Sequence, residues 1–398
     1  MVLVDTSGRA VLAALLDSVP LTRPELARLT RLSRPTISEV VRRLVEIGLV
    51  ADAGVRRGRP GRVPTYYQLA PTAGYVVGVD IGGDNLRVAA ADLAGTVHYE
   101  HRQATRVSGA TRIAGQAARL VANAAAEVGD RLGPMRRVGV SAPGAIQPGG
   151  RTMSLARNLG EDGPFDLLTP LEARIPAPIL LDNNVNLAAL GERWRGHARD
   201  VATFGFLAVG AGIGMGLVHN GEVISGAHGA AGEVAYLPLP GSLPAGQRPG
   251  HGKEQLAGEA GGYGVLAALN ARSTWPGTRP ATVEALFDQA AAGVPAAREI
   301  VEAEACQLGL TIACACAVFD PELVVLGGGV GRNPLLLPTV REVVEAQVPF
   351  PPRVEISALG EAGSLTGAVF VALREARAEV LHSVDAADGN LGGLENGS

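Results

Sequence analysis

The chain has 398 residues, 47% of them hydrophobic, and a net charge of −4, enough for two or three domains with sizeable cores. No apolar run is long enough to span a bilayer, and the early "VLAALLDSVP" carries Asp17 and lacks a cleavage pattern after a basic start. Neither a membrane span nor an export signal is expected, and the chain reads as cytoplasmic. Charge is uneven: residues 1–70 hold eleven arginines against six carboxylates, a balance of +5, and the remainder, with 24 basic and 33 acidic side chains, carries −9. A basic head on an acidic body points to a polyanion partner for the head alone.

The head reads as a winged helix-turn-helix over residues 1–70. "SGRAVLAALLDS" is a first helix and "TRPELARLT" a second, with Thr22 as cap, Pro24 in the first turn and Glu25 completing a capping box. A short turn follows at Thr30 to Leu32. The third helix, "SRPTISEVVRRLVEIG", starts at Ser33 and buries Ile37, Val40, Val41, Leu44 and Gly48 at helical spacing. Arg34, Thr36, Ser38 and Arg42 then face outward as the candidate recognition surface. "LVADAG" and "TYYQLAP" read as two short strands around "VRRGRPGRVP", a wing whose Arg56, Arg57, Arg59 and Arg62 suit phosphates or a narrow minor groove.

After a linker near 68–75 an α/β body begins. "YVVGVDIGGDNLRVAAADLAG" reads as two strands folded about Gly82 and Gly83, and "FGFLAVGAGIGMGLVHNGEV" as a second such hairpin. Their likeness is a weak internal repeat, consistent with a duplicated two-lobed fold. Each turn exposes backbone amides to an anion, although neither is a Walker loop or a dinucleotide turn. Cys306, Cys314 and Cys316 share one apolar helical stretch and read as buried structural thiols. His228 and His251, imaginable as metal ligands with Glu233 or Glu254, read as polar loop residues. No metal or other cofactor is expected.

Several segments together resemble the ROK family of bacterial sugar kinases and sugar-responsive repressors. They are "DIGG" at 80–83, "SAPGAI" at 141–146, "ARNLG" at 156–160, "NNVNLAALGE" at 183–192, "GAGIGMG" at 210–216, "GAHGAAGEVAYLPL" at 226–239, "VVLGGGV" at 324–330 and the closing "EAGSLTGAVFVAL". The resemblance implies an actin-like two-lobed sugar kinase fold behind the winged head, which is what the repressor branch adds. It places a first lobe at 71–185, a second at 186–362, a C-terminal helix at about 363–380 packing back on the first lobe, and a tail without fixed structure at 381–398.

By that resemblance Asn158, Asn183, Asn184, Glu233, Tyr236 and Glu254 fall on sugar-contacting positions. Family kinases carry Asn-Asp-Ala-Asn where this chain has Asn183 to Asn186, and the Asp is the general base. Asn184 replaces it with an amide that can bind a hydroxyl but not take its proton, a loss of roughly 10² to 10⁴ in rate. Where kinases have Thr after "DIGG" this chain has Asp84, whose charge about 4 Å from a phosphate would cost on the order of 4 kcal/mol. The second loop, usually Gly-Thr-Gly, reads Gly210-Ala211-Gly212 and lacks the hydroxyl. Tyr236 stands where the family has a histidine that touches sugar and ligates zinc, and the accompanying cysteine cluster is missing.

The resemblance therefore implies a catalytically dead body that binds a free sugar, and a regulator, more naturally a repressor, of carbohydrate metabolism. The partners implied are an inverted-repeat operator in double-stranded DNA and a monosaccharide or related effector, with the chain a homodimer or homotetramer. An active sugar kinase with an appended DNA-binding head is the alternative. A third reading is a regulator that answers to a partner protein or another metabolite, and Tyr236 keeps it open.

Overall fold

The computed structural model describes residues 2–16, 20–55, 64–147, 150–154, 159, 163–237 and 260–386. The head begins with α1 (Val2–Leu16), which starts earlier than the sequence suggested, then β1 (Leu21–Thr22), α2 (Arg23–Thr30) and α3 (Arg34–Glu46). The capping box is present: the Glu25 backbone N–H donates to Thr22 Oγ1 at 3.4 Å and the Thr22 N–H to Glu25 Oε2 at 2.7 Å. The Thr22 hydroxyl, which donates to Glu25 Oε2 at 2.7 Å, and then the Thr22 N–H hold the Glu25 carboxyl below its ordinary range. Val11, Leu12, Leu26, Ile37 and Val41 are fully buried and join the three helices. Truncating Leu26 or Ile37 to Ala would cost about 2–5 kcal/mol. Strands β2 (Val50–Val55) and β3 (Thr65–Leu69) pair antiparallel, with β1 against the other edge of β3.

One expectation for the head needs correction. Gly48 is not buried in α3; it is exposed just past the helix end with φ +74, the left-handed conformation that stops a helix. The 68–75 linker is ordered and packed. Gln68 and Leu69 finish β3, Ala70 and Ala73 are buried, and the Ala70 and Tyr75 N–H groups donate to Leu49 O and Pro134 O.

The body opens with β4 (Tyr75–Ile81), β5 (Asn85–Asp92) and β6 (Val97–Ala104), an antiparallel meander backed by α4 (Ala110–Leu132). Every residue of β4 is buried, as a central strand covered on both faces requires. β7 (Met135–Ala142) follows, then a small sheet of β8 (Ala145–Ile146), β9 (Thr152–Ser154) and β10 (Phe165–Asp166). α5 (Leu168–Glu172) leads to β11 (Ile179–Asn183), which completes a five-stranded sheet ordered β11-β7-β4-β5-β6.

α6 (Asn184–Arg195) precedes a second five-stranded sheet. Its hairpin of β12 (Thr203–Val209) and β13 (Ile213–His219) is followed by β14 (Glu222–Val223), α7 (Gly261–Ala271), α8 (Val283–Ala291) and α9 (Pro295–Phe319). β15 (Leu323–Gly327), the short α10 (Gly328–Gly331), α11 (Leu337–Gln347) and β16 (Arg353–Ile356) close it in the order β14-β13-β12-β15-β16. The hairpin is antiparallel, whereas β15 runs parallel to both β12 and β16. On α9, Glu304, Leu308, Ile312 and Cys316 recur every four residues and face the core. That periodicity corrects the cysteine expectation: Cys316 is buried, Cys306 half-buried and Cys314, on the opposite face, exposed. Burial first, then the nearby Asp320 charge, push the Cys316 thiol up to about 11.

The last helix, α12 (Gly363–Ala386), continues six residues past the expected end at 380. The chain forms two compact units: residues 1–140, 167–181 and 368–398, and residues 141–166 and 182–367. Residues 141–166 thus cluster with the second lobe. The 144–147 segment is held there by the Asn183 side chain, which donates to Gly144 O, and by the close approach of Gly229 to Ile146 O.

Candidate functional site

On the head, Ser33 caps α3 by accepting from the Thr36 N–H at 3.2 Å. Arg34 is exposed at the helix start, with Ser38 one turn on along the same face; Thr36 and Ser38 are half-buried, and Thr36 is also engaged in the cap. The Thr36 hydroxyl lies 2.7 Å from Ser33 Oγ, so it reaches a ligand only by giving up that bond. Arg42 is exposed but clamped between Glu39 and Glu46, which offset its charge. Of the four α3 candidates Arg34 is the freest cation. Arg56, Arg57, Arg59 and Arg62 of the wing lie outside the described residues.

In the body, four small polar residues open α6, and the structure gives them different work. Asn183 is the N-cap: its Oδ1 accepts from the Val185 and Asn186 N–H groups at 2.7 and 3.4 Å, and its Nδ2 donates to Gly144 O at 2.7 Å. Little of this amide is left for a ligand. Asp182 Oδ1 accepts from the Asn183 N–H and the Asn186 side chain, and burial nonetheless pushes its carboxyl above the ordinary range. Asn184 is half-buried, and its amide makes no hydrogen bond among the described residues. It is the member of the set available to a bound hydroxyl.

β13 supports both this helix start and the "GEVAY" turn. A Cβ on Gly216 would come within 2.9 Å of Val185 O and 3.2 Å of the Ala189 Cβ, so only glycine lets α6 lie this close to the strand. One residue back, the Met215 N–H donates to Gly232 O at 2.8 Å and fixes the turn that carries Glu233. Glu233 is half-buried and engaged within the protein, and Tyr236 packs against the apolar core of this unit. Asn158 and Glu254 lie outside the described residues.

The turns expected to face phosphate are partly spent on themselves. In the first, the Gly82 N–H donates to Asn85 O, and Thr105 donates its N–H to Asp84 O and its hydroxyl to Gly82 O. The Asp84 side chain is exposed. Asp80, the first residue of "DIGG", is 4% exposed and held by Arg87, whose Nη2 lies 2.7 Å away. In the second, the Gly262 and Tyr263 N–H groups at the start of α7 donate to Gly210 O and Ala211 O at 2.7 and 3.1 Å. The Gly261 N–H donates to Glu304 Oε1 at 2.8 Å. The first three amides of α7 are therefore occupied. Sequence reasoning missed Asp80–Arg87, Asp182 and Glu304, because nothing local marks them.

The cysteine cluster of the family's zinc site has no counterpart in this sequence. All three cysteines stand on α9, Tyr236 offers a phenol in place of an imidazole, and among the described residues no three metal-binding side chains cluster.

The comparisons with known proteins agree with this architecture. The sequence model of the ROK family matches residues 76–375, and that described as winged helix-turn-helix DNA-binding matches residues 4–51. The chain is similar to a xylose repressor of Caldicellulosiruptor bescii, 24% identical over 92% of this chain and 94% of the relative. It is also similar to a glucokinase of Halalkalibacterium halodurans, 28% identical over 68% of this chain and 86% of the relative. Among solved structures, a ROK hexokinase from Thermus thermophilus is 30% identical, with a TM-score of 0.63 over 76% of this chain and 99% of that one. A ROK family transcriptional regulator, described as a homolog of the E. coli MLC protein, shares the fold over 96% of this chain and 98% of its own, with a TM-score of 0.76 at 20% identity. With two five-stranded sheets that each contain a glycine-turned hairpin, an asparagine-capped α6 and a family match across three quarters of its length, the chain belongs to the ROK family and carries a winged helix-turn-helix head.

Proposed function

We propose that this protein is a cytoplasmic, sugar-responsive DNA-binding repressor whose ROK body binds a free sugar and does not phosphorylate it. The observation that carries the reading is Asn184. It stands where the family's kinases have their base, is half-buried, and its amide is unengaged among the described residues. An amide there donates to one hydroxyl and accepts from another, and it has no useful basicity. Glu233, with Asn158 and Glu254, would complete the hydroxyl-binding set, while Asn183 shapes the site through its capping bonds.

Phosphoryl transfer is disfavoured by three further features. Arg87 neutralises Asp80, Asp84 adds a negative charge beside the first turn, and the start of α7 is closed by carbonyls of the second. Arg34, Thr36 and Ser38 would read bases from α3 while the wing arginines hold phosphates, in an assembly of two or four copies on an inverted repeat. Sugar then acts by binding the DNA-free state more tightly than the DNA-bound one.

Because the repressors it resembles are named for xylose, that pentose is the first effector to try. Calorimetry of the full chain with xylose, glucose and N-acetylglucosamine should detect sugar binding without ATP. An ADP-release assay should find no turnover near the usual kinase scale of about 1 to 100 per second. Turnover with any of these sugars would favour the kinase reading, and absence of binding to every sugar would favour a different effector.

A further inference from the structure

The turn between α2 and α3 contains a residue whose conformation does not suit its type. Arg31 has φ +58 and ψ +23, in the left-handed region. Only two other non-glycine residues with positive φ occur among the described ones, Asn220 and Asp320, and those are the types that tolerate it. The same head ends α3 with Gly48 at φ +74, the residue that adopts this conformation without cost. An arginine is thus kept where glycine would close the helix more easily.

No side-chain partner among the described residues compensates it. Arg31 is exposed, and its side chain makes no hydrogen bond or ion pair among the described residues, in contrast to Arg42 between its two glutamates. It lies two residues before the cap Ser33 and three before the exposed Arg34. In a helix-turn-helix the second helix enters the major groove by its N-terminal end while the first crosses the backbone, so the residue joining them travels along the groove's edge. That edge is lined by phosphates.

We infer that Arg31 is a positioning residue of the DNA interface, contacting a backbone phosphate at the rim of the major groove and so fixing how α3 enters it. The inference rests on the DNA-binding reading above. It assigns Arg31 a sequence-independent role, unlike Arg34, and explains why the turn accepts an unfavourable backbone conformation at this position. A cation near the C-terminus of α2 also interacts favourably with that helix's dipole, which is the competing explanation.

The test compares the full chain with Arg31→Gly, Arg31→Asn and Arg31→Lys, using a random-sequence duplex as probe because a phosphate contact needs no operator. Arg31→Gly and Arg31→Asn should unfold at the parent's temperature or above it. They should bind the duplex several-fold more weakly, with a salt slope shallower by about 0.9, the loss of one phosphate contact. Arg31→Lys should keep the parent slope. Parent affinity and slope in Arg31→Gly would overturn the inference, as would a lowered unfolding temperature with an unchanged slope, which would assign Arg31 to capping. If the parent itself binds no duplex, the DNA-binding reading falls and takes this inference with it.

Discussion

Replacing Glu304 by glutamine should make the protein more stable at alkaline pH and leave it unchanged in acid. Glu304 is 3% exposed, accepts from the Gly261 N–H at 2.8 Å, and is pushed from 4.5 up to about 7, by burial first, with that hydrogen bond pulling the other way. The folded protein therefore holds this proton more tightly than the unfolded chain. The contribution of this group to stability is greatest below about pH 4.5, falls as pH rises through about 7, and stays reduced above that. At about 1.36 kcal/mol per pH unit the full penalty is about 3 kcal/mol, an upper estimate for a buried group. The substituted amide would keep an acceptor oxygen for Gly261 and cannot ionise. Urea unfolding of both proteins between about pH 4 and pH 8.5 isolates the effect, because other titrations cancel in the difference. Parallel stability profiles, or a variant less stable than the parent at high pH, would refute the reasoning.

Removing the Asn183 side chain should cost about 2 kcal/mol in denaturant unfolding, combining the lost cap with a stranded Gly144 carbonyl, whereas Asn183→Asp, which keeps the acceptor, should lose about half as much. Arg87→Ala should destabilise the protein by about 3 kcal/mol by removing the cation that neutralises the buried Asp80 carboxylate, and an added Asp80→Ala should recover much of that in the same measurement. Arg34→Ala should relax sequence preference, with about 1–3 kcal/mol lost at one base, while Arg57→Ala should weaken every duplex alike; mobility shifts on specific and scrambled duplexes at several salt concentrations separate them.

What was legible in the sequence follows the reach of the forces involved. The Thr22–Glu25 box and the buried stripe of α3 are both local patterns, so both could be read directly. The two hairpins announce themselves by glycines between apolar runs, and β4 and β12 form as expected. The Asp80–Arg87 pair is also close in sequence, yet it depends on the two residues facing each other across the antiparallel register, which the string alone does not give. Glu304 meets Gly261 across 43 residues, and only the packing of α7 on α9 brings them together. Gly48 and Cys314 were misjudged for one reason: helical spacing locates a face but not where the helix stops or how wide its buried stripe is.

On the reading proposed above, the amides opening α6 turn a kinase framework into a sensor without a new fold. A general base is useful only if its product leaves, whereas an effector must stay bound long enough to bias an equilibrium. At 100 times its dissociation constant a ligand favours the state it prefers by about 2.7 kcal/mol, provided it binds the other state negligibly. In that proposed role Asn184 would serve better than an aspartate: an amide can pair with a hydroxyl in both directions and adds no charge beside Asp182, whose carboxyl burial already disfavours in its ionised form. Restoring an aspartate by Asn184→Asp would set two carboxylates two residues apart at one helix start. One of them would be driven to stay protonated, and with Asp84 and Ala211 unchanged the phosphate side would remain unfit. The single reversal is expected to weaken sugar binding without restoring turnover, and an ADP-release assay that found turnover in this variant alone would show that the base was the one missing part.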